Sequence, residues 1–245
     1  MLNRIATTFR ENCDDVERLL HFDRDVLQLV IHSIESLHEH WKTKTLDERY
    51  NGKRVLDMTR NVQRNDSLRA RYRTVYGQAV VLLVSHFASA LGDIFRAAVT
   101  ASLDGAKSEA LLEEEVKLTF QQMKEQEWNL RAVAADLLIA KKDYTFQDMQ
   151  SVSRAFRSYL DVDLKQDAVT NDIILGQAAR HAIVHAGAIA SDKTVRQLAN
   201  AKPRELKPSV AQGDKFEFSV EEVLLLKRQM LTYIDRTIAA VEAKA

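Results

Sequence analysis

Seven glycines and two prolines are all that punctuate this chain of 245 residues. A sequence broken so seldom lacks the turn signals that a sandwich or barrel needs at short intervals, and it must run in long segments. Along those segments apolar residues return every three or four positions, which is the spacing of one helix face. The fold class is therefore all-α. With 46% hydrophobic and 29% charged residues the chain has enough apolar material to bury a core, unlike a disordered one. Its length suits one large domain, or one domain with an appendage. Residues 1–65 read as an N-terminal helix and connecting loop packed on a main helical domain, 66–245.

Taken in order, the first helix is expected from about Asn12 or Asp14 to His40, with Val16, Leu19, Leu20, Leu27, Val30, Ile31, Ile34 and Leu37 on one broad face. Residues 43–65 show no sustained period and predict a long connection holding one short helix. A long helix follows from Asp66 or Ser67 to Ala101 or Leu103. It is apolar nearly all round between Ala79 and Leu91, which predicts the central buried helix or a subunit contact, with His86 as a core histidine. Residues 104–125 read as helix, the run Glu113, Glu114, Glu115 facing water. Helices are expected at 127–141 and at 146–160, the latter capped by Thr145 with Asp148 three residues on. Ser191 opens a short helix that Pro203 ends. Phe216 and Phe218 alternate in a short extended piece, and Ser219, with Glu222 three positions later, caps a closing amphipathic helix.

Several functions are disfavoured at this level. Thirty-five basic and thirty-five acidic residues give a formal net charge of zero, so no field of the whole protein draws in nucleic acid and any RNA contact must be local. The single Cys13 rules out an internal disulfide and a cysteine-built zinc site. The first residues lack an apolar core of signal-peptide length, and the apolar run Ala79–Val84 falls far short of the roughly 20 residues of a membrane span, so no membrane association and a cytoplasmic location are expected. No phosphate loop, dinucleotide fingerprint, HExxH or GxSxG is present, and no cofactor is implied.

One stretch stands apart. Between Thr170 and Ser191 an apolar helix, expected to be capped by Thr170 or Asn171 with Asp172 in its first turn and to stop near Gly187, carries Arg180, His181 and His185, which need a polar outlet. His181 and His185 lie four apart and could face one metal, but no third ligand follows at the right spacing, so no metal is assigned. His38 and His40 sit two apart, on different sides of a helix end that favours cations, and read as that end rather than as a metal clip. A second feature is basic. Arg69 and Arg73 share a helix face, with Arg60, Arg64 and Arg71 nearby and Tyr72 and Tyr76 available for stacking; this is either an RNA contact or a solvated helix end. Lys202 and Arg204, with Lys207, form a smaller basic loop and complete the candidate RNA contacts.

The segment RHAIVHAGAIAS, residues 180–191, resembles the signature of the HEPN superfamily: an Arg, a polar residue, a short spacer and a His at a helix end. Here four residues separate Arg180 from His185, and a small, Gly-containing turn follows. The short helix, loop, GDKFEFS segment and closing helix resemble the C-terminal half of prokaryotic HEPN ribonucleases and toxins, so the resemblance covers roughly residues 66–240. It departs from the common pattern in carrying His181 where Asn is more usual. What it implies is an HEPN-like helical bundle with a helical N-terminal extension and inserted helices, working as a homodimer whose motif helices face each other across a cleft. It further implies a metal-independent endoribonuclease that leaves 2′,3′-cyclic phosphate ends, in a toxin–antitoxin or antiphage defence setting with an antitoxin or defence-system protein as a partner. His185 would be general base or acid, Arg180 would hold the scissile phosphate and His181 would orient the pair. A non-catalytic dimer that binds nucleotide or a protein partner is the alternative. Five helical positions turn the chain by about 140°, so Arg180 would have to reach around toward His185, more easily if the helix ends near Gly187.

Overall fold

The structure, a computed structural model, describes residues 1–42, 52–69, 72–105 and 109–244. Residues 43–51 of the expected connection, Arg71 of the basic cluster and the Tyr72 side chain lie outside the described residues. Ten α-helices and one 3-10 turn make up these residues, and no strand forms among them.

The hub is α3, Tyr72–Gly105, which touches α1 (Leu2–Lys42), α6 (Leu130–Lys142), α7 (Met149–Leu160), α8 (Ala168–His185) and α10 (Val220–Glu242). Its aromatic side chains mark these contacts. Phe87 meets Phe9 of α1 and Tyr233 of α10 with ring centroids 6.1 and 5.7 Å apart, and Phe95 meets Phe156 of α7 at 5.7 Å. Such a helix is apolar on most of its circumference because neighbours cover most of it. By length and composition Arg73–Gly105 would also suffice to cross a membrane, which the short run at Ala79–Val84 did not suggest. Small residues interrupt the run without lowering the average, and 56% of the most apolar window is buried among the other helices. His86 is half-buried, lining a cleft against the start of α1.

The first helix departs from expectation. It begins at Leu2, not at Asn12 or Asp14, and runs 41 residues. Ala6, Phe9, Cys13, Val16 and Leu20 form one buried stripe, so Asn12 and Asp14 are interior positions whose side chains imitate caps. Asp14 and Glu17 bind Lys227 of α10 at 2.6 and 2.5 Å, fastening this half of α1 to the closing helix. Beyond Leu20 the helix lies against α2 (Gly52–Arg64), the short helix foreseen in the connection, while Phe22, Leu29 and Leu37 remain exposed.

Two further expectations change. Residues 104–125 are only partly helical: α4 is Glu109–Leu112 and α5 is Phe120–Glu125, capped by Thr119, with extended chain between them. Glu114 turns inward there to bind Lys141, Lys142 and the Tyr159 hydroxyl, which holds its carboxyl down at about 2, while Glu113 and Glu115 face water. The cap of α7 is Asp148, whose carboxylate accepts from the Ser151 amide; Thr145 accepts from the Gln147 amide one turn too early to start the helix. By contrast, α9 (Asp192–Ala199) is capped by Ser191, and α10 opens on the Ser219–Glu222 capping box. The GDKFEFS piece contributes a single antiparallel bridge, Lys215 to Ile189, and buries Phe216 and Phe218.

Candidate functional site at the end of α8

α8 starts at Ala168, capped by Asp167 and not by Thr170 or Asn171, which lie inside the first turn and are buried. Its apolar surface is covered within one chain by α3, α7, α9 and α10. The approach to α10 is close: a Cβ on Gly176 would meet the Leu226 methyls at 3.0 Å. Near its end, only Val184 and Ile189 just beyond it stay exposed as large apolar residues, at 47% and 41%. The fold itself thus covers most of the apolar face of α8.

Polar residues at the first end of α8 are fully engaged. Asn171 accepts from Gln166 Nε2 at 2.6 Å and donates to the Pro203 carbonyl at 2.8 Å. Asp172 is buried and accepts from the Glu205 and Leu206 amides, both at 2.9 Å, and from Gln229 at 3.2 Å. Burial pushes its carboxyl above the usual value, and the Leu206 and Glu205 amides only partly offset that. Arg204, offered by the sequence as an RNA contact, is 8% exposed and donates to the carbonyls of Leu198, Ala201 and Lys207. It closes the loop after α9.

At the other end the helix carries on through His185, and the amides of Ala186 and Ala188 both donate to the Ala182 carbonyl. Gly187 and Ala188 have φ of +58° and +66°, so the chain leaves sharply; glycine takes such a φ freely and alanine at a cost. The helix thus does not unwind to bring Arg180 round to His185. Arg180 instead donates to Gln147 Oε1 at 3.4 Å. His181 connects the set: it lines one pocket of about 250 Å³ together with Arg180, and its ring lies 5.0 Å from that of exposed His185. Within one chain the structure brings together Arg180 with His181 and His181 with His185, but not Arg180 with His185.

The basic cluster near α3 resolves mostly into packing. Arg69 is 5% exposed and pairs with buried Asp23, and Tyr76 is buried, so these two are taken up inside the fold, while Arg60 pairs with Glu35 in a half-exposed position. Arg73 is exposed and binds Glu217 at 3.2 Å, and Lys202 is exposed. Among the described residues no group of three or more His, Cys, Asp or Glu side chains is placed to hold a metal ion.

Sequence reasoning passed over Gln177, three and four positions before Arg180 and His181 and hence on their face. It is 5% exposed, and neither its Nε2 nor its Oε1 has a hydrogen-bond partner among the described residues. It lines the Arg180–His181 pocket and also a neighbouring groove of about 630 Å³ between α7, α8 and α9. The three-to-four spacing of polar residues was the available signal. Compared with family models, curated proteins and solved structures, the chain finds no match in any of the three.

Proposed function

We propose that this chain is a metal-independent endoribonuclease of the HEPN type, acting as a homodimer on RNA in the cytoplasm. The observation that supports this reading is the cluster Arg180, His181 and His185 at the accessible end of a helix whose remaining surface is covered. RNA carries its own nucleophile in the 2′-OH, so the residue types needed are a proton carrier and an anion binder. A histidine removes the 2′-OH proton as that oxygen attacks phosphorus, the bond to the 5′-oxygen breaks, and a proton is delivered to the leaving oxygen. The products are a 2′,3′-cyclic phosphate and a 5′-hydroxyl. His185 is assigned the proton transfer, Arg180 the charge on the phosphate, and His181, between them, the orientation of both.

Because Arg180 and His185 of one chain diverge, the site is completed by the Arg180 of a second copy, with Val184 and Ile189 giving the two ends an apolar margin to meet on. A toxin or antiphage setting, with an antitoxin or defence protein as controller, is part of the same reading. The same divergence supports the second reading, a non-catalytic dimer that binds nucleotide or a protein partner. The deciding experiment incubates the purified chain with RNA in EDTA and analyses the ends. Cyclic phosphates that vanish with His185→Ala support the nuclease; intact RNA at every concentration at which the chain is dimeric leaves the binding module.

A further inference from the structure

Only part of the apolar surface of α1 is used by the fold. Its buried stripe packs on the bundle, but Leu19, Phe22, Val26, Leu29, Val30 and Leu37 form a second stripe that stays exposed, Phe22 and Leu29 at 65% and 66%. Gln28 and Glu35, which meet Gln63 and Arg60 of α2, lie on the other side of the helix. From Leu19 to Leu37 the stripe covers 18 positions, roughly 27 Å at about 1.5 Å each. Six large apolar side chains in one line differ from the scattered ones of an ordinary surface and mark a contact.

Their spacing suits a helix as the occupant. Leu19, Phe22, Val26 and Leu29 alternate three and four apart, and exposed Ser33 and Ser36 continue the seam with small side chains. Along one edge Arg18, Asp25, His32 and Glu39 follow at seven-residue intervals, all exposed. This order of charges selects a second copy of α1 running antiparallel, where that edge faces its own counterpart. With Leu19 set against the partner's Ser36, Phe22 meets the partner's Ser33 and Val26 the partner's Leu29. Arg18 then faces the partner's Glu39, and Asp25 faces the partner's His32. Arg18 also binds Asp15 of its own chain at 3.0 Å, and both stay exposed. A slide of seven residues one way opposes Asp25 to the partner's Asp25, and the other way to the partner's Glu39. In a parallel pair the charged edge would meet Asp23, Val30 and Leu37, of which Asp23 is buried on Arg69 and the others are uncharged.

We propose that the chain pairs with a second copy of itself through an antiparallel seam of two α1 helices, centred between Val26 and Leu29. The helix is already formed, so pairing orders no new backbone. The proposal does not rest on the ribonuclease reading, whose own dimer joins at the end of α8. Full-length Leu19→Cys and Ser36→Cys chains are oxidised separately and as a mixture; the native Cys13 is buried. The mixture gives a cross-linked pair. Neither variant alone does, since each position lies about 25 Å along the seam from its own copy. Leu29→Glu added to both chains abolishes the cross-link and lowers the mass found by sedimentation equilibrium, with the helical signal unchanged. Arg18→Glu weakens pairing about tenfold, two exposed ion pairs being reversed at once, and Glu39→Arg added to it restores the affinity; this exchange decides if Leu29→Glu misfolds. Val184→Glu, at the end of α8, leaves the cross-link in place. The seam is overturned by a mixture that does not cross-link, by Leu19→Cys cross-linking alone, or by a cross-link that persists through Leu29→Glu or is lost with Val184→Glu. A chain that stays monomeric, its stripe left to a different protein, overturns it as well.

Discussion

The two ends of α8 carry polar residues of similar kinds and treat them in opposite ways. At the first end Asp172 and Asn171 are buried and their hydrogen-bonding groups meet partners from Gln166 before α8, from the loop after α9 and from Gln229 of α10, while Arg204 closes on three carbonyls. At the second end Gln177 is equally buried and has no partner, Arg180 has one long bond, and His181 and His185 have each other. A buried polar group is retained by folding only if the fold satisfies it. The first set is therefore explained by stability. Of the second set only Gln177 is buried without a partner among the described residues; Arg180, His181 and His185 reach solvent, so folding neither demands nor opposes them there.

The largest effect that would test this contrast belongs to Asp172. Asp172→Ala strands the buried Leu206 amide, at about 1–3 kcal/mol, and frees the part-buried Glu205 amide at a smaller cost. A loss near 3 kcal/mol lowers the melting temperature of a chain this size by roughly 10 °C. Thermal unfolding followed by circular dichroism measures it. A variant that melts within a degree or two of the wild type would mean that the loop after α9 does not depend on α8, and the contrast between the ends would collapse.

Next in size is catalysis at the second end. His185→Ala is expected to reduce RNA cleavage about 100-fold, and Arg180→Lys, which keeps the charge but not the planar fork, to lose most of it. Neither change should move stability beyond about 0.5 kcal/mol, since neither side chain is built into the core. Turnover and melting curves on the same preparations separate the two readings: loss of folding or of dimerisation in place of loss of turnover assigns Arg180 and His185 to a structural seam.

What could be read from the sequence follows the same division. The caps Ser191 and Ser219 were legible because each serine follows a turn or extended piece at the point where helical spacing begins, Ser219 with Glu222 at the capping-box spacing. The starts of α1 and α8 were not, since Asn12 and Asp14, or Thr170 and Asn171, are as plausible as caps as the true boundary, and only packing shows them to be interior. Arg69 and Arg204 looked like surface cations; nothing local distinguishes an arginine that finds Asp23 46 positions away, or three loop carbonyls, from one that meets a phosphate. Arg180, His181 and His185 were legible because they interrupt an apolar helix. Gln177 interrupts it in the same way, but its lack of partners is a property of the folded neighbourhood.

A smaller effect concerns pH. Burial, the strongest single influence on Asp167, pushes its carboxyl up, but the Thr170 amide and hydroxyl and Arg236 outweigh it and hold the group below the usual value of about 3.9. A depressed carboxylate contributes stability that is complete above its unfolded value and is lost as pH falls through the folded one. Asp172, whose value is raised, contributes the opposite slope: stability is gained as pH falls through its folded value toward the unfolded one. Asp167→Asn keeps a cap and removes the titration, so it should lose less stability than the wild type below about pH 4, by a fraction of a kcal/mol given its half-exposed side chain. Melting temperatures between pH 2 and 6 read the difference, and identical slopes would show that Asp167 is not coupled to folding.

The smallest change, and the one of opposite sign, is at Gln177. Leucine has a similar volume and no polar atoms to leave unpaired, and Gly176 beside it already fits against Leu226. Gln177→Leu removes two unsatisfied groups and breaks no hydrogen bond, so stability should stay level or rise by up to about 1 kcal/mol. The measurement is the chemical-denaturation midpoint of the unliganded chain, set beside that of Asp172→Ala. Both residues are buried polar positions on one helix, five apart, and a sequence-based ranking would treat them alike. Equal losses would place Gln177 in the folding network. A loss at Asp172 with none at Gln177 shows that the fold depends on the first of these buried polar groups and not on the second.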